Sequence, residues 1–507
     1  MGMIYPGLVD PIPEPELQPI PDGWAHRPEV ITRHGEALRE ILQAKSPPPA
    51  KCSGRGILWV GGGKYWPGIL VGLKLLREMG CTLPVQIWHR GAEEPIEPEL
   101  CQRLGPVEFV DSTRFSCRIL RGWEQKLVAL AHCGWEQVLY LDADAYLVED
   151  PEPLFQALEV APFVFWEDMA HNQTTIRWPS VWPMGDNGVP PIQGGQLMID
   201  RKRAWRVILA ALWMNQHSDF YYQHMFGDQD TWRVVLAGLG VSRLWHNLGK
   251  APWQNTAFVC GLSDGRVRVV HRCQGKLMRI KDIPTGRQAY NSPQWALPKE
   301  ARAFHHLTEY LRGHEQGAEE TFGEIYRREL WGNGPSSGGG SIGHEAQAYV
   351  DLVNTLIDFS GTRSVVDLGC GDGTIGTRIH VANYTGIDCH QPHIDRLKAE
   401  ARSREWLHLD FYTQRDQIPP AEMLLMKDVL HHWPSPWVTT WLKWAKLELD
   451  RGRYRRILIT QDVNQFEDGQ DCHLGGYRAL SPLLSPLREF NLKTVVPYQH
   501  KACLMLE

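Results

Sequence analysis

Asp142 and Asp144 stand one residue apart at the end of the apolar run QVLYL, residues 137–141. A run of that kind bounded by polar residues reads as a buried strand, and open α/β sheets bind ligands beyond the carboxyl ends of their strands. Two carboxylates there offer hard oxygen ligands to Mg²⁺ or Mn²⁺. A cation held by so few protein groups keeps positions for a diphosphate and neutralises charge on a leaving nucleotide. A solvated acidic turn has the same composition. The second chemical signal is glycine. VVDLGCGDGTIG, residues 365–376, places Gly369, Gly371 and Gly373 between a strand that contains Asp367 and a helix. Glycine lets the backbone approach a ligand closely and take a positive φ. A dinucleotide site would read GxGxxG, whereas this segment reads DxGxGxG. The next strand, YTGID, ends in Asp388, and WLHLD ends in Asp410.

Further acids and imidazoles fall at strand or helix ends. Asp168 closes FVFWED, and Asp228 and Asp230 sit in GDQD just before a helix. A carboxylate at such an end can serve as a general base or a nucleophile. Asp at a helix start also serves as an N-cap, so both readings stand for Asp228 and Asp230. His431 and His432, in MLLMKDVLHHWP, lie where a neutral imidazole could take a proton from a hydroxyl near pH 7; packed histidines are the alternative. Asp462 and Tyr477 are further candidates. Lys276 and Arg272 could neutralise a diphosphate, and Trp166, Trp178 and Trp182 could stack on sugars or pack in the core.

The elements that must position these groups alternate. Strands are expected at 56–60, 84–89, 107–111 and 137–141, with helices at 67–79 and 123–131, a rhythm that predicts a parallel sheet covered on both faces. The rhythm restarts with a helix at 345–359, a strand that contains Asp367, and strands that end in Asp388 and Asp410. Residues 1–50 form a Pro-rich extension with one helix at 29–45. Gly and Ser cluster at 331–341, as in a flexible linker or a loop that closes over a ligand. The expected division is 51–315 and 316–507. The chain has 507 residues, a net charge of -6 and 21 tryptophans. That balance shows no basic excess for a nucleic-acid partner. No run approaches the apolar length of a membrane span, no signal peptide is visible, and the 11 scattered cysteines read as reduced thiols in a cytoplasmic protein.

The segments WVGGGKY (59–65), LREMGCTLPVQIW (76–88), LYLDADAYLVEDPEPLF (139–155), GGQLMIDR (194–201) and FGDQDTWR (226–233) resemble, in order, the GT-A-fold nucleotide-sugar glycosyltransferases, in particular the α-mannosyltransferase group. The resemblance implies that Gly61, Gly62, Gly63 and Tyr65 line the nucleotide and that Asp142 and Asp144 chelate the metal. It implies that a late histidine, fitted by His271, completes the shell, and that Gln193, Gly194 and Gln196 share the pocket. Golgi members carry a membrane anchor that this sequence lacks, which favours a cytoplasmic enzyme. The DxGxGxG segment, Asp388, Asp410 and DVLHHWP resemble class I S-adenosyl-L-methionine-dependent methyltransferases. That implies cofactor contacts from Asp367, Gly369, Gly371, Gly373, Asp388 and Asp410, and a lid at 331–341. The expected architecture is α/β, with two tandem Rossmann-like domains, a GT-A glycosyltransferase fold before a class I methyltransferase fold. The expected function is sugar transfer from a UDP- or GDP-linked donor to a glycan, with O-methylation of a sugar hydroxyl. The alternative is a methyltransferase with a non-catalytic, glycan-binding first domain.

Overall fold

A computed structural model describes residues 17–45, 47–49, 52–115, 122–169, 176–287, 290–291, 297–314, 316–332, 337–465, 468–498 and 500–507. Residues 1–16, 46 and 50 of the Pro-rich extension and residues 333–336 of the Gly/Ser cluster therefore lie outside the described residues. The chain divides into two compact units, Met1–Leu277 and Met278–Glu507. Residues 278–315, expected in the first domain, thus pack with the second.

In the first unit, β1 (Arg55–Val60), β2 (Val85–His89), β3 (Val107–Asp111) and β4 (Gln137–Asp142) pair in parallel in the order β3-β2-β1-β4. Ile57, Leu58 and Trp59 are fully buried in β1, the continuous apolar pattern of a strand covered on both faces. Helix Trp66–Glu78 follows β1, with Pro67 in its first turn, where its missing N–H costs nothing. After a short β5 (Ala145–Leu147) come β6 (Phe163–Glu167), β7 (Gln196–Asp200) and β8 (Trp245–Lys250), which complete a seven-stranded sheet. The sheet is mixed, which corrects the expected all-parallel one: β7 runs antiparallel to both β4 and β6. The cause is the path of the chain, which enters β7 from the loop at 182–195 rather than over a crossover helix.

Past β9 (Trp253–Gln254), β10 (Ala257–Gly261) and β11 (Val267–His271) form with β5 a small antiparallel sheet in the order β5-β11-β10-β9. Its register sets His271 opposite Ala145, and so beside the acids at the end of β4. Helix Pro28–Gln43 buries Leu38 and Leu42 in the core around helix Trp205–Gln216.

The second unit holds β12 (Ser364–Leu368), β13 (Asn383–Asp388), β14 (Glu405–His408), β15 (Met423–Lys427), β16 (Arg456–Asp462), β17 (Leu492–Tyr498) and β18 (Lys501–Leu506). Their order is β14-β13-β12-β15-β16-β18-β17, parallel except for β18, which is antiparallel to both neighbours. The carboxyl ends of β12, β13, β15 and β16 thus carry the Gly-rich turn, Asp388, Asp428 and Asp462 along one edge.

Candidate active sites

Three groups meet at the end of β4. Ligand atoms of Asp142, Asp144 and His271 lie within 4.8 Å of one another, and His271 Nε2 is 3.3 Å from Asp144 Oδ1 and 4.0 Å from Asp142 Oδ2. The approach depends on Gly195, where a Cβ would fall 2.2 Å from the His271 ring. Two ammonium groups complete the cluster. Lys126 Nζ lies 2.9 Å from Asp142 and 3.0 Å from Asp228, and Lys276 pairs with Asp144. Three carboxylates against two lysines leave one negative charge, and two carboxylates with an imidazole form a donor set that suits a divalent cation such as Mn²⁺. Burial pushes the Asp142 carboxyl up, but Lys126, His271 and the Tyr140 hydroxyl outweigh it and hold it below its ordinary value. Burial lowers His271, which favours the neutral ligand form. Burial also pulls the Lys276 ammonium down to about 8.

The structure brings several of the expected neighbours to this cluster. Gly61 packs against Ala143 between the two acids, and the Tyr65 ring lies 5.5 Å from Lys276 Nζ. Gly62 lies against the Glu94 carbonyl, and Gly63 N–H donates to the Pro95 carbonyl. Asp168 accepts from Gln229 Nε2 at 2.9 Å and from Gln193 Nε2 at 3.4 Å, and Gly194 packs on Gln229.

The pair at 228 and 230 divides. Asp228 faces Lys126, and burial raises its carboxyl. Asp230 accepts the Phe226 backbone N–H at 2.9 Å, bracing the helix Asp228–Leu239 in the manner of a capping contact. Gln196 is fully buried and donates to Cys260 Sγ. Trp166 is core, donating to the Gly261 carbonyl. Arg272 Nε donates to the Gly275 carbonyl, and its backbone N–H to the Asp144 carbonyl. Lys126 and Gln229 escape the sequence reading; the one signal for Lys126 is a cation in the apolar helix Gln125–His132.

The second unit encloses a cavity of about 330 Å³ lined by Gly369, Asp388, Phe411, Trp331, Lys427 and His431, among others. Gly371 turns at φ 55°, and a Cβ there would fall 1.9 Å from Ser337 Oγ; a side chain would be strained and obstructed at once. The Gly371 N–H donates to Asp388 Oδ2 and the His390 N–H to Oδ1, both at 2.9 Å. Asp388 is thereby fixed at the end of β13, its carboxyl raised by burial. Asp367 sits inside β12, accepts the Tyr384 hydroxyl at 2.5 Å and is pushed by burial up to about 6. Gly373 packs on Leu397. Asp410 does not line the cavity: its oxygens accept from Tyr412 N–H and Thr413 Oγ1 within its own turn, and Phe411 forms the wall.

The segment at 331–341 behaves as a cover in its described parts. Ser337 and Asp372 exchange hydrogen bonds, Lys427 Nζ donates to the Gly340 carbonyl at 2.8 Å, and Trp331 stacks on His432 at 4.7 Å. The two histidines differ. His432 Nδ1 contacts the Gly476 carbonyl at 2.6 Å, and burial lowers it to about 4. His431 Nδ1 has no hydrogen-bond partner, bounds the cavity and stands 3.8 Å from Asp462 Oδ2. Burial, then His432, holds it well below its ordinary value.

Around it lie Asp428, held low by Lys427, His431 and Lys501 against the upward push of burial, and Tyr477, which donates to Asp462 at 2.7 Å. Lys427, Asp428 and Lys501 were not legible as site residues, and neither was the contribution of Ile280, Tyr290 and Asn291 to the cavity wall. A lysine opening the apolar strand KACLML is the one cue for Lys501.

Fold and sites together define two transferase-like units in one chain, one arranged around acids and one around a glycine cradle. Comparison with known families narrows each. Residues 54–183 match the family described as "Mannosyltransferase putative", and residues 341–464 match "O-methyltransferase domain". The chain is 25% identical over 237 residues to Alpha-1,2-mannosyltransferase MNN24 of Candida albicans, covering 35% of this chain and 32% of that protein. It is 24% identical over 270 residues to Alpha-1,2-mannosyltransferase MNN2 of Saccharomyces cerevisiae, covering 42% and 45%. It is 28% identical over 116 residues to Tabersonine 16-O-methyltransferase of Catharanthus roseus, covering 23% and 32%. The chain thus spans less than half the length of each of these relatives. It joins a mannosyltransferase-like domain to an O-methyltransferase domain.

Proposed function

We propose that the chain is a bifunctional glycan-assembly enzyme. The first unit transfers a sugar, mannose on the strength of the relatives' names, from a UDP- or GDP-linked donor to a glycan acceptor. The second O-methylates a sugar hydroxyl with S-adenosyl-L-methionine. The observation that carries the reading is the convergence of Asp142, Asp144 and His271 within 4.8 Å at a strand end, in a chain that also holds a separate glycine cradle closed by Ser337.

In the first unit Asp142, Asp144 and His271 would hold Mn²⁺ or Mg²⁺. A cation bound there supplies positive charge to the diphosphate leaving group. Lys276 adds a second positive charge, Lys126 holds Asp142 and Asp228 in place, and Gly61–Tyr65 border the nucleotide. On this reading Asp228 and Asp168 would be the carboxylates that act on the sugar. In the second unit Asp388 would hold the hydroxyls of the cofactor ribose, the glycine turn would admit its close approach, and the segment around Ser337 would shut out water. S-Adenosyl-L-methionine supplies an electrophilic methyl group. His431, kept neutral by burial, takes the acceptor's proton as its oxygen is methylated.

No helix among the described residues is long and apolar enough to cross a membrane, and the ten described cysteines are all free. The test is product analysis by mass spectrometry, with GDP-mannose or UDP-hexoses, Mn²⁺, an α-mannoside and S-adenosyl-L-methionine. The reading expects both a hexose and a methyl addition. Methylation alone, unaltered in Asp142→Asn, would leave the first unit as a non-catalytic module.

A further inference from the structure

Beside the methyl cavity the second unit carries a more open recess. His344 and Glu345 at the start of helix Gly343–Ser360, His500 and Lys501 at the start of β18, and Asp462 and Tyr477 form its walls. Asp462, Tyr477 and Lys501 line the methyl cavity as well, so the two hollows adjoin at these residues. Asp462 is the junction. Its Oδ2 accepts the Tyr477 hydroxyl at 2.7 Å and lies 3.8 Å from His431 Nδ1, while its Oδ1 lies 2.9 Å from His500 Nε2. His500 Nδ1 is in turn 3.9 Å from Glu345 Oε1. A polar row therefore runs from His431 through Asp462 and His500 out to Glu345.

A flat aromatic acceptor entering here would cover charged groups and return only the bonds of its one or two ring hydroxyls, which is costly. A saturated polyol offers each of them a donor or an acceptor. Neighbouring hydroxyls of a sugar ring fall at hydrogen-bond spacing, so a hydroxyl held at His431 brings the next one to Asp462 and Tyr477. The geometry points to this recess as the acceptor entrance of the methyl cavity, and to a polyhydroxylated ring at the end of a glycan as its occupant. Asp462 acts as a positioning residue between His431 and the row, and Glu345 and His500 select the acceptor. The inference rests on the reading of the second unit as an O-methyltransferase.

The experiment uses the full chain with S-adenosyl-L-methionine and two kinds of probe: methyl α-mannopyranoside and α-mannobiose as saturated acceptors, and catechol as a flat one. Release of S-adenosylhomocysteine gives the rate, and Glu345→Gln and His500→Ala are assayed beside the unmodified chain. Both side chains are partly exposed, and retained binding of S-adenosylhomocysteine checks that the variants fold. The expected result is methylation of the mannosides. Each variant should raise their KM about tenfold, the cost of one hydrogen bond to a charged group, with kcat nearly unchanged. Methylation of catechol alone, or an unchanged mannoside KM in both variants, overturns the inference while the methyltransferase reading stands. A chain that binds no S-adenosylhomocysteine overturns both.

Discussion

The two units build their donor sites from different materials. At the end of β4 the material is side-chain charge: Asp142, Asp144 and Asp228 set against Lys126 and Lys276, with His271 closing the group. At the end of β12 it is backbone shape: a turn with three positive-φ glycines, into which Ser337 fits, and neutral imidazoles toward the acceptor. A diphosphate leaving group has to be met by a field, and fixed charges in a water-poor cleft provide one. A large cofactor carrying its own activated methyl group needs close contact and exclusion of water. A site of the first kind should fail when one charge is removed, and a site of the second when one methyl group is added.

The sharpest break is expected from Asp142→Asn. It removes a proposed metal ligand and leaves Lys126 with one anionic partner in place of two, so sugar transfer should fall by about 10³-fold, the upper range for loss of one preorganised electrostatic group. Chelation with EDTA should abolish the same activity, and neither treatment should change methylation in a direct assay. The converse is His431→Ala, which should lower methyl transfer by about 10²–10⁴-fold, the range for loss of a general base. Binding of S-adenosylhomocysteine by calorimetry should be retained. Because burial keeps His431 neutral, methyl transfer in the unmodified chain should stay on its plateau as pH falls through the ordinary histidine value of 6.5.

A smaller effect is expected of the added methyl group. Gly371→Ala puts a Cβ 1.9 Å from Ser337 Oγ at a positive φ, and the conformational cost alone, about 1–2 kcal/mol, corresponds to roughly a tenfold loss of cofactor affinity. Ser337→Ala in the same chain should recover part of it, and nucleotide binding to the first unit should not respond. The smallest concerns stability. His432 is held at about 4 in the folded chain against an ordinary 6.5. A depressed value contributes stability that is complete above 6.5 and is lost as pH falls toward 4. From pH 7 to 5 urea unfolding should therefore show a loss on the order of 2 kcal/mol from this residue, and His432→Asn should remove that share.

The sequence made legible what depends on local order. The apolar run at 137–141, the Gly-rich turn after β12 and the strand that ends in His271 each carry their own signal, because burial and turn geometry are written in adjacent residues. Antiparallel β7 was not legible, since direction depends on how a loop returns, and GGQLMIDR has the same apolar pattern either way. The partners of the acids were hidden for a related reason. Lys126 reaches Asp228 across 102 positions and Lys501 reaches Asp428 across 73, and a lone lysine has no motif. The roles of Asp228 and Asp230, left open between chemistry and capping, separate once Lys126 and the Phe226 N–H are seen as their partners. The wall supplied by Ile280 and Tyr290 fell on the wrong side of the expected boundary, because residues 278–315 carry no composition break that marks their allegiance.

That two independent donor sites share one chain is tested most directly by calorimetric titration of the full chain, Asp142→Asn and Gly371→Ala. Each would be titrated with GDP and UDP in the presence of Mn²⁺, and with S-adenosylhomocysteine. The account predicts that the unmodified chain binds one nucleotide and S-adenosylhomocysteine, that Asp142→Asn loses only the nucleotide, and that Gly371→Ala weakens only S-adenosylhomocysteine. A chain that binds neither nucleotide, or an Asp142→Asn variant that binds its nucleotide undiminished, would contradict it.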